Sequence, residues 1–102
     1  MVRRVVVERG MERNEISEHE CRFWQAIQSN GAGWKTSRDL ALQAQIAPRT
    51  ARLYCQKFAT LGLVETAEVF PAHRYRLAQK AAKTNAAYVT RLECAAEVFA
   101  QP

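Results

Sequence analysis

The chain has 102 residues, of which 48% are hydrophobic, and a formal net charge of +5. That length suits one globular domain with a modest core. No apolar run approaches the roughly 20 residues of a membrane-spanning helix, and the opening "MVRRVVVERG" has too short an apolar stretch for a signal peptide, so a cytoplasmic protein without a membrane partner is expected.

Residues 1–15 read as an N-terminal extension. "VRRVVVE" is β-branched and short enough for an edge strand, and residues 1–10 are equally compatible with a loose or disordered segment beside Gly10 and Met11. Ser17 then opens the first helix. Ser17-Glu-His-Glu20 fits a capping box, with Ile16 and Cys21 as its hydrophobic staple. Phe23, Trp24 and Ile27 form the core stripe, and "SNGAG" ends the helix near Ser29.

Trp34-Lys35 suggests a very short extended segment. Thr36-Ser-Arg-Asp39 is a second capping motif, starting a helix that runs to about Ala44 and buries Leu40 and Ala41. After a brief turn, Pro48 occupies a first-turn position where no N–H is needed. The third helix runs to about Leu61 and stops at Gly62. Its apolar residues, Ala51, Tyr54/Cys55, Phe58 and Leu61, recur at helical spacing.

Beyond Gly62 the pattern alternates. Leu63–Phe70 and His73–Leu77 flank Pro71-Ala72 and predict a hairpin. Tyr75 and Leu77 share one face of the return strand, Arg74 and Arg76 the other. Residues 81–102 are alanine-rich. Ala81, Tyr88, Leu92, Ala95/Ala96 and Phe99 give one helical stripe, either continuous or broken near Thr84-Asn85.

The basic surplus is localised. Residues 1–34 hold five basic and five acidic side chains, residues 81–102 two of each, and residues 35–80 eight basic against three acidic. A concentration of that kind is an electrostatic footprint for a polyanion.

The stretch "TSRDLALQAQIAPRTARLYCQKFATLGLVE" followed by "HRYRL" resembles a winged helix-turn-helix domain of the bacterial transcription-regulator kind. The matching residues are Ala41 in the first motif helix, Ile46 after the turn, Ala51 in the second motif helix, and "LGLV" (Leu61–Val64) before the wing. The resemblance implies a mainly α fold with a small β-hairpin wing, spanning residues 16–80, plus an additional C-terminal helix over 81–102. Two positions depart from the family pattern. Gln45 stands where glycine is common, and a left-handed glutamine costs on the order of 1 kcal/mol. Ala47 stands where a capping Ser, Thr or Asp is usual, a loss of about 0.5–2 kcal/mol.

With the apolar stripe buried, Arg49, Arg52, Leu53 and Gln56 point outward, with Thr50 and Lys57 on the flanks. Arg can bond guanine bidentately in the major groove and Gln can do the same with adenine. The resemblance implies that the helix start enters the groove. Lys57 is then expected to meet phosphate, Ser37 and Arg38 to contact the backbone beside a helix N-terminus, and Arg74 and Arg76 to reach flanking DNA from the wing. Leu53 fits packing as well as a thymine-methyl contact.

These features point to sequence-specific duplex DNA binding by a small, nucleoid-associated transcription regulator, a repressor acting by steric occlusion. The alternative from another class is a non-enzymatic protein–protein docking module; RNA is a further polyanion to weigh. An enzyme is not expected: "NGAG" lacks the lysine and spacing of a phosphate loop, and no paired carboxylates lie in an apolar setting. Cys21, Cys55 and Cys94 are odd in number and far apart, which argues against disulfides or a zinc knuckle, and His19 and His73 complete no ligand set. The cysteines read as buried or half-buried free thiols. No metal, cofactor or small-molecule ligand is evident. The small-sided stripe of the last helix suits close approach of a second copy, so a homodimer through that helix is expected, the alternative being that Tyr88, Leu92 and Phe99 pack on the first helix of the same chain.

Overall fold

A computed structural model describes residues 2–9, 12–69 and 72–101. The chain begins with an antiparallel hairpin of β1 (Arg4–Arg9) and β2 (Glu12–Ser17), in which Arg4 pairs with Ser17 and Arg9 with Glu12. The following elements are α1 (Glu18–Asn30), β3 (Lys35–Thr36), α2 (Ser37–Ala44), α3 (Pro48–Thr60), β4 (Val64–Val69), β5 (Ala72–Leu77), α4 (Ala81–Thr84) and α5 (Ala86–Ala100). This is a winged helix-turn-helix with an added C-terminal helix. The second sheet has the order β3-β5-β4, and all its pairings are antiparallel.

Of the two readings of the N-terminal extension, the strand over "VRRVVVE" agrees with β1 and the loose segment does not; its pairing with β2 was not expected. Val5 and Val7 alternate inward and pack against the core, while Val6 stays 43% exposed. The segment before β1 is tied down as well. Arg3 pairs with Glu18, donates to the Phe99 carbonyl at 3.0 Å, and lies over the Phe99 ring. Gly10 and Met11 lie outside the described residues, as do Phe70, the end of the expected first wing strand, and Pro71 of the expected turn; Ala72, expected in the turn, opens β5.

Both expected helix starts are present, in different forms. At α2 the capping box is complete: Asp39 N donates to Thr36 Oγ1 at 3.1 Å, and Thr36 N donates to Asp39 Oδ2 at 3.2 Å. At α1, Ser17 Oγ accepts from Glu20 N at 3.1 Å, but the Glu20 carboxylate does not turn back to the cap. It is buried and reaches across the core instead.

The turn between α2 and α3 is built as the sequence implied. Gln45 adopts φ 59° and ψ 47°, a left-handed conformation. Ile46 N donates to Ala41 O at 3.0 Å, so the chain reverses within a few residues. Ala47 is extended and makes no side-chain cap, and Pro48 supplies the first helical position. α3 then buries Ala51, Cys55 and Phe58.

The C-terminal segment breaks at Asn85 into α4 and α5. On α5, Tyr88, Leu92 and Ala95 are buried, and Ala96 and Phe99 pack partly against the core. α5 lies on α1 and on the β1–β2 hairpin. The stripe expected to face a second copy is therefore covered by this chain's own elements, by α1 as the alternative reading had it and by the hairpin in addition.

Gly62 ends α3 with φ +76°, and a Cβ built there would lie 2.7 Å from Thr84 Cγ2. Gly62→Ala is expected to lower unfolding free energy by at least about 1–2 kcal/mol from the left-handed backbone alone. Thr84→Ala in the same background should recover the steric part and leave the backbone part. Denaturant titration of the parent and the two variants checks this; a Gly62→Ala protein as stable as the parent would contradict it.

Candidate nucleic-acid interface

The inward side of α3 is held by aromatic packing. Phe58 is fully buried, with its ring 5.2 Å from Phe23, 5.8 Å from Trp24, 6.4 Å from Tyr54 and 6.0 Å from Tyr88. Tyr54 adds an oxygen–oxygen hydrogen bond of 3.0 Å to Ser17, at the end of β2. With that side fixed, the helical period turns residues 49, 52, 53 and 56 to solvent.

Arg49, Arg52, Leu53 and Gln56 are indeed exposed, and Thr50 is half-buried. Neither arginine pairs with an acidic side chain among the described residues. Arg52, Gln56 and Thr60 also line an open groove between α3 and the wing, about 680 Å³ in volume, which Ser37, Glu68 and His73 share. The β3–β5 register sets Arg74 opposite Thr36, at the start of α2, so that Ser37, exposed Arg38 and half-buried Arg74 gather at one edge of this surface. The Asp39 carboxyl is held below its ordinary range, chiefly by the Thr36 backbone hydrogen bond and then by the Thr36 hydroxyl, with Lys35 and Arg74 adding to it.

Two expected contacts are committed elsewhere. The Lys57 ammonium donates to Glu20 Oε2 at 3.1 Å and sits 5.2 Å from the centre of the Tyr88 ring. The Tyr88 hydroxyl donates to the same carboxylate oxygen. A charge placed on the flank of α3 thus turns toward α1 and α5, because a buried carboxylate there needs a cation more than the solvent does. Arg76 donates to Glu65 Oε2 at 2.7 Å, and its guanidinium lies 4.3 Å over the Trp34 ring. That braces the base of the wing and occupies the side chain expected to reach DNA.

Among the described residues no group of three or more His, Cys, Asp or Glu is arranged to hold a metal ion, and no helix is long and apolar enough to cross a membrane. Cys21 and Cys55 are buried free thiols pushed up to about 12 by desolvation, so they are inert as nucleophiles; Cys94 is exposed, where a buried or half-buried thiol was expected.

Comparison with solved structures bears on the fold. A candidate DNA-binding protein from Ralstonia eutropha JMP134 superposes with a TM-score of 0.56 at 20% identity, over 70% of this chain and 94% of its own. Lactococcus lactis ZitR in complex with DNA matches with a TM-score of 0.54 at 11% identity, over 93% of this chain and 65% of that one. NadR in complex with 4-hydroxyphenylacetate matches with a TM-score of 0.53 at 19% identity, over 82% of this chain and 61% of its own. The chain thus spans less than two thirds of ZitR and of NadR. These likenesses carry the winged-helix fold. No protein-family model matches the chain, and no curated protein sequence does so either.

The Glu20–Lys57–Tyr88 cluster has a pH signature. Burial raises the Glu20 pKa, while the Lys57 charge and hydrogen bond lower it. Lys57→Met keeps most of the aliphatic stem and removes both lowering effects, so the folded-state pKa climbs further above the unfolded value. A group raised in this way favours folding below its unfolded pKa and loses that contribution as pH rises through the folded pKa. Lys57→Met is therefore expected to be less stable than the parent by about 1–3 kcal/mol at pH 8 and by clearly less at pH 5. Equal losses at the two pH values, read by denaturant unfolding, would contradict the cluster.

Proposed function

We propose that this chain binds duplex DNA through the outward face of α3 and acts as a small transcription regulator. One observation carries the reading: Arg49, Arg52 and Gln56 stand exposed on a helix whose other side is locked into the core, with no acidic side chain paired to either arginine among the described residues. A B-DNA major groove accepts such a helix. Guanidinium groups there match guanine O6 and N7, and a carboxamide matches adenine N6 and N7. The placement of Ser37, Arg38 and Arg74 suits phosphate contacts that set the register. Thr50, near the start of α3, fits either role. Winged-helix neighbours that include a DNA complex agree with this reading.

Repression by occupying an operator is the simplest mechanism for a domain of this size. Pairing of two copies through α5 falls on its exposed side, around Val98, since the apolar stripe is already used. Two-fold pairing then predicts a palindromic site with half-sites about one helical turn apart.

A salt titration tests the reading. Several phosphate contacts predict that log affinity for duplex falls linearly and steeply with log salt. Weak, salt-insensitive binding would favour docking on a protein instead. On a selected site, Arg49→Ala is expected to cost about 1–3 kcal/mol and to relax base preference at one position. The same loss on every sequence would reduce Arg49 to a phosphate contact.

A further inference from the structure

The described residues leave four large apolar side chains well exposed: Val6, Leu42, Leu53 and Val98. Of these, Leu53 alone lies on α3, and it is 60% exposed. Packing within the chain does not account for it. The core side of α3 is supplied by Ala51, Cys55 and Phe58, and Leu53 is not among the residues that pack against that core. Leu53 is also not at the rim of the protein's charge. It stands between Arg49, four residues before it, and Gln56, three residues after it, so the three make one line along the helix surface.

A leucine in that line has no atom that can donate or accept a hydrogen bond, so it cannot contribute through the polar code of base edges. In the major groove of unmodified DNA the apolar group on offer is the C5-methyl of thymine. Arg49 and Arg52, both exposed and neither paired with an acidic side chain among the described residues, direct the face to a polyanion, which argues against an apolar protein groove as its occupant. Resting on the DNA-binding reading above, we infer that Leu53 is a specificity-determining residue that selects a thymine by enclosing its methyl group, within a site whose neighbouring positions are read by Arg49 and Gln56. The Gln56 carboxamide, one turn away, suits the adenine of a nearby A·T pair, so the recognised half-site contains A·T pairs flanked by the guanine that Arg49 takes.

The test exchanges thymine for uracil, one position at a time, in a duplex obtained by selection from random sequences. Uracil keeps every hydrogen-bonding atom and removes the methyl. The parent protein is expected to bind about four-fold more weakly to the duplex lacking that one methyl, the equivalent of about 0.8 kcal/mol for a buried methyl-sized group. Leu53→Ala should bind the thymine duplex with a similar loss and be indifferent to the uracil exchange. Alanine at an exposed helical position favours the helix, and an unchanged circular dichroism spectrum and unfolding midpoint show that folding is intact. A parent protein indifferent to uracil at every position, or a Leu53→Ala protein still showing the parent's full sensitivity, overturns the inference while leaving DNA binding standing. Failure of the parent to select any duplex with a steep salt dependence overturns the DNA-binding reading itself, and the inference with it.

Discussion

Everything on the outer surface of α3 depends on where Phe58 sits inside. Its ring meets four others, from α1, from its own helix and from α5, three of them edge-on or nearly so. Each such pair is worth about 0.5–1.5 kcal/mol beyond burial, and together they define both the rotation and the depth of α3. A helix with one side fixed in this way has no freedom to choose its other side. The exposure of Arg49, Leu53 and Gln56 follows from Phe58, Cys55 and Ala51 by the 3.6-residue period.

The Glu20–Lys57–Tyr88 cluster adds direction to that packing. A carboxylate only 7% exposed on its side chain would be unfavourable alone. Here it collects an ammonium from α3 and a hydroxyl from α5, so one α1 residue joins all three helices. Such a group contributes less to net stability than to uniqueness, because an alternative rotation of α3 would strand the charge. The same logic operates at the wing, where Arg76 bridges Glu65 of β4 and the Trp34 ring ahead of β3. Two of the cations in the basic central segment are therefore structural, and the surface left for a polyanion is narrower than the charge distribution suggests.

Features governed by neighbours in sequence were legible before any coordinates. The α2 capping box, the left-handed Gln45, the uncapped Ala47 and the core stripe of α3 each rest on residues within one or two turns of one another. The break at Asn85 was one of two alternatives that the sequence left open. What was missed is non-local. β2, "ERNEIS", is polar apart from Ile16, and it is a strand because the three valines of β1 give it a partner. Glu20 had the spacing of a capping residue, and only the approach of α3 and α5 shows why it turns inward. Lys57 lies on the flank of α3 and Arg76 on the strand face opposite Tyr75 and Leu77, yet each side chain is long enough to reach back to a carboxylate and an aromatic ring. The α5 stripe left a second copy and α1 as alternative partners, and the β1–β2 hairpin that helps α1 to cover it is a non-local pairing.

The central claim is that the outer face of α3, with the start of α2 and the adjoining strand β5, is the surface that meets DNA. Backbone amide chemical shifts of the labelled protein, recorded with and without a selected duplex, address it most directly. The largest changes are expected at Arg49, Thr50, Leu53 and Gln56, with smaller ones at Ser37, Arg38 and Arg74, and with α5 and the β1–β2 hairpin unmoved. Changes gathered on α5 and the hairpin, with the outer face of α3 silent, would contradict it.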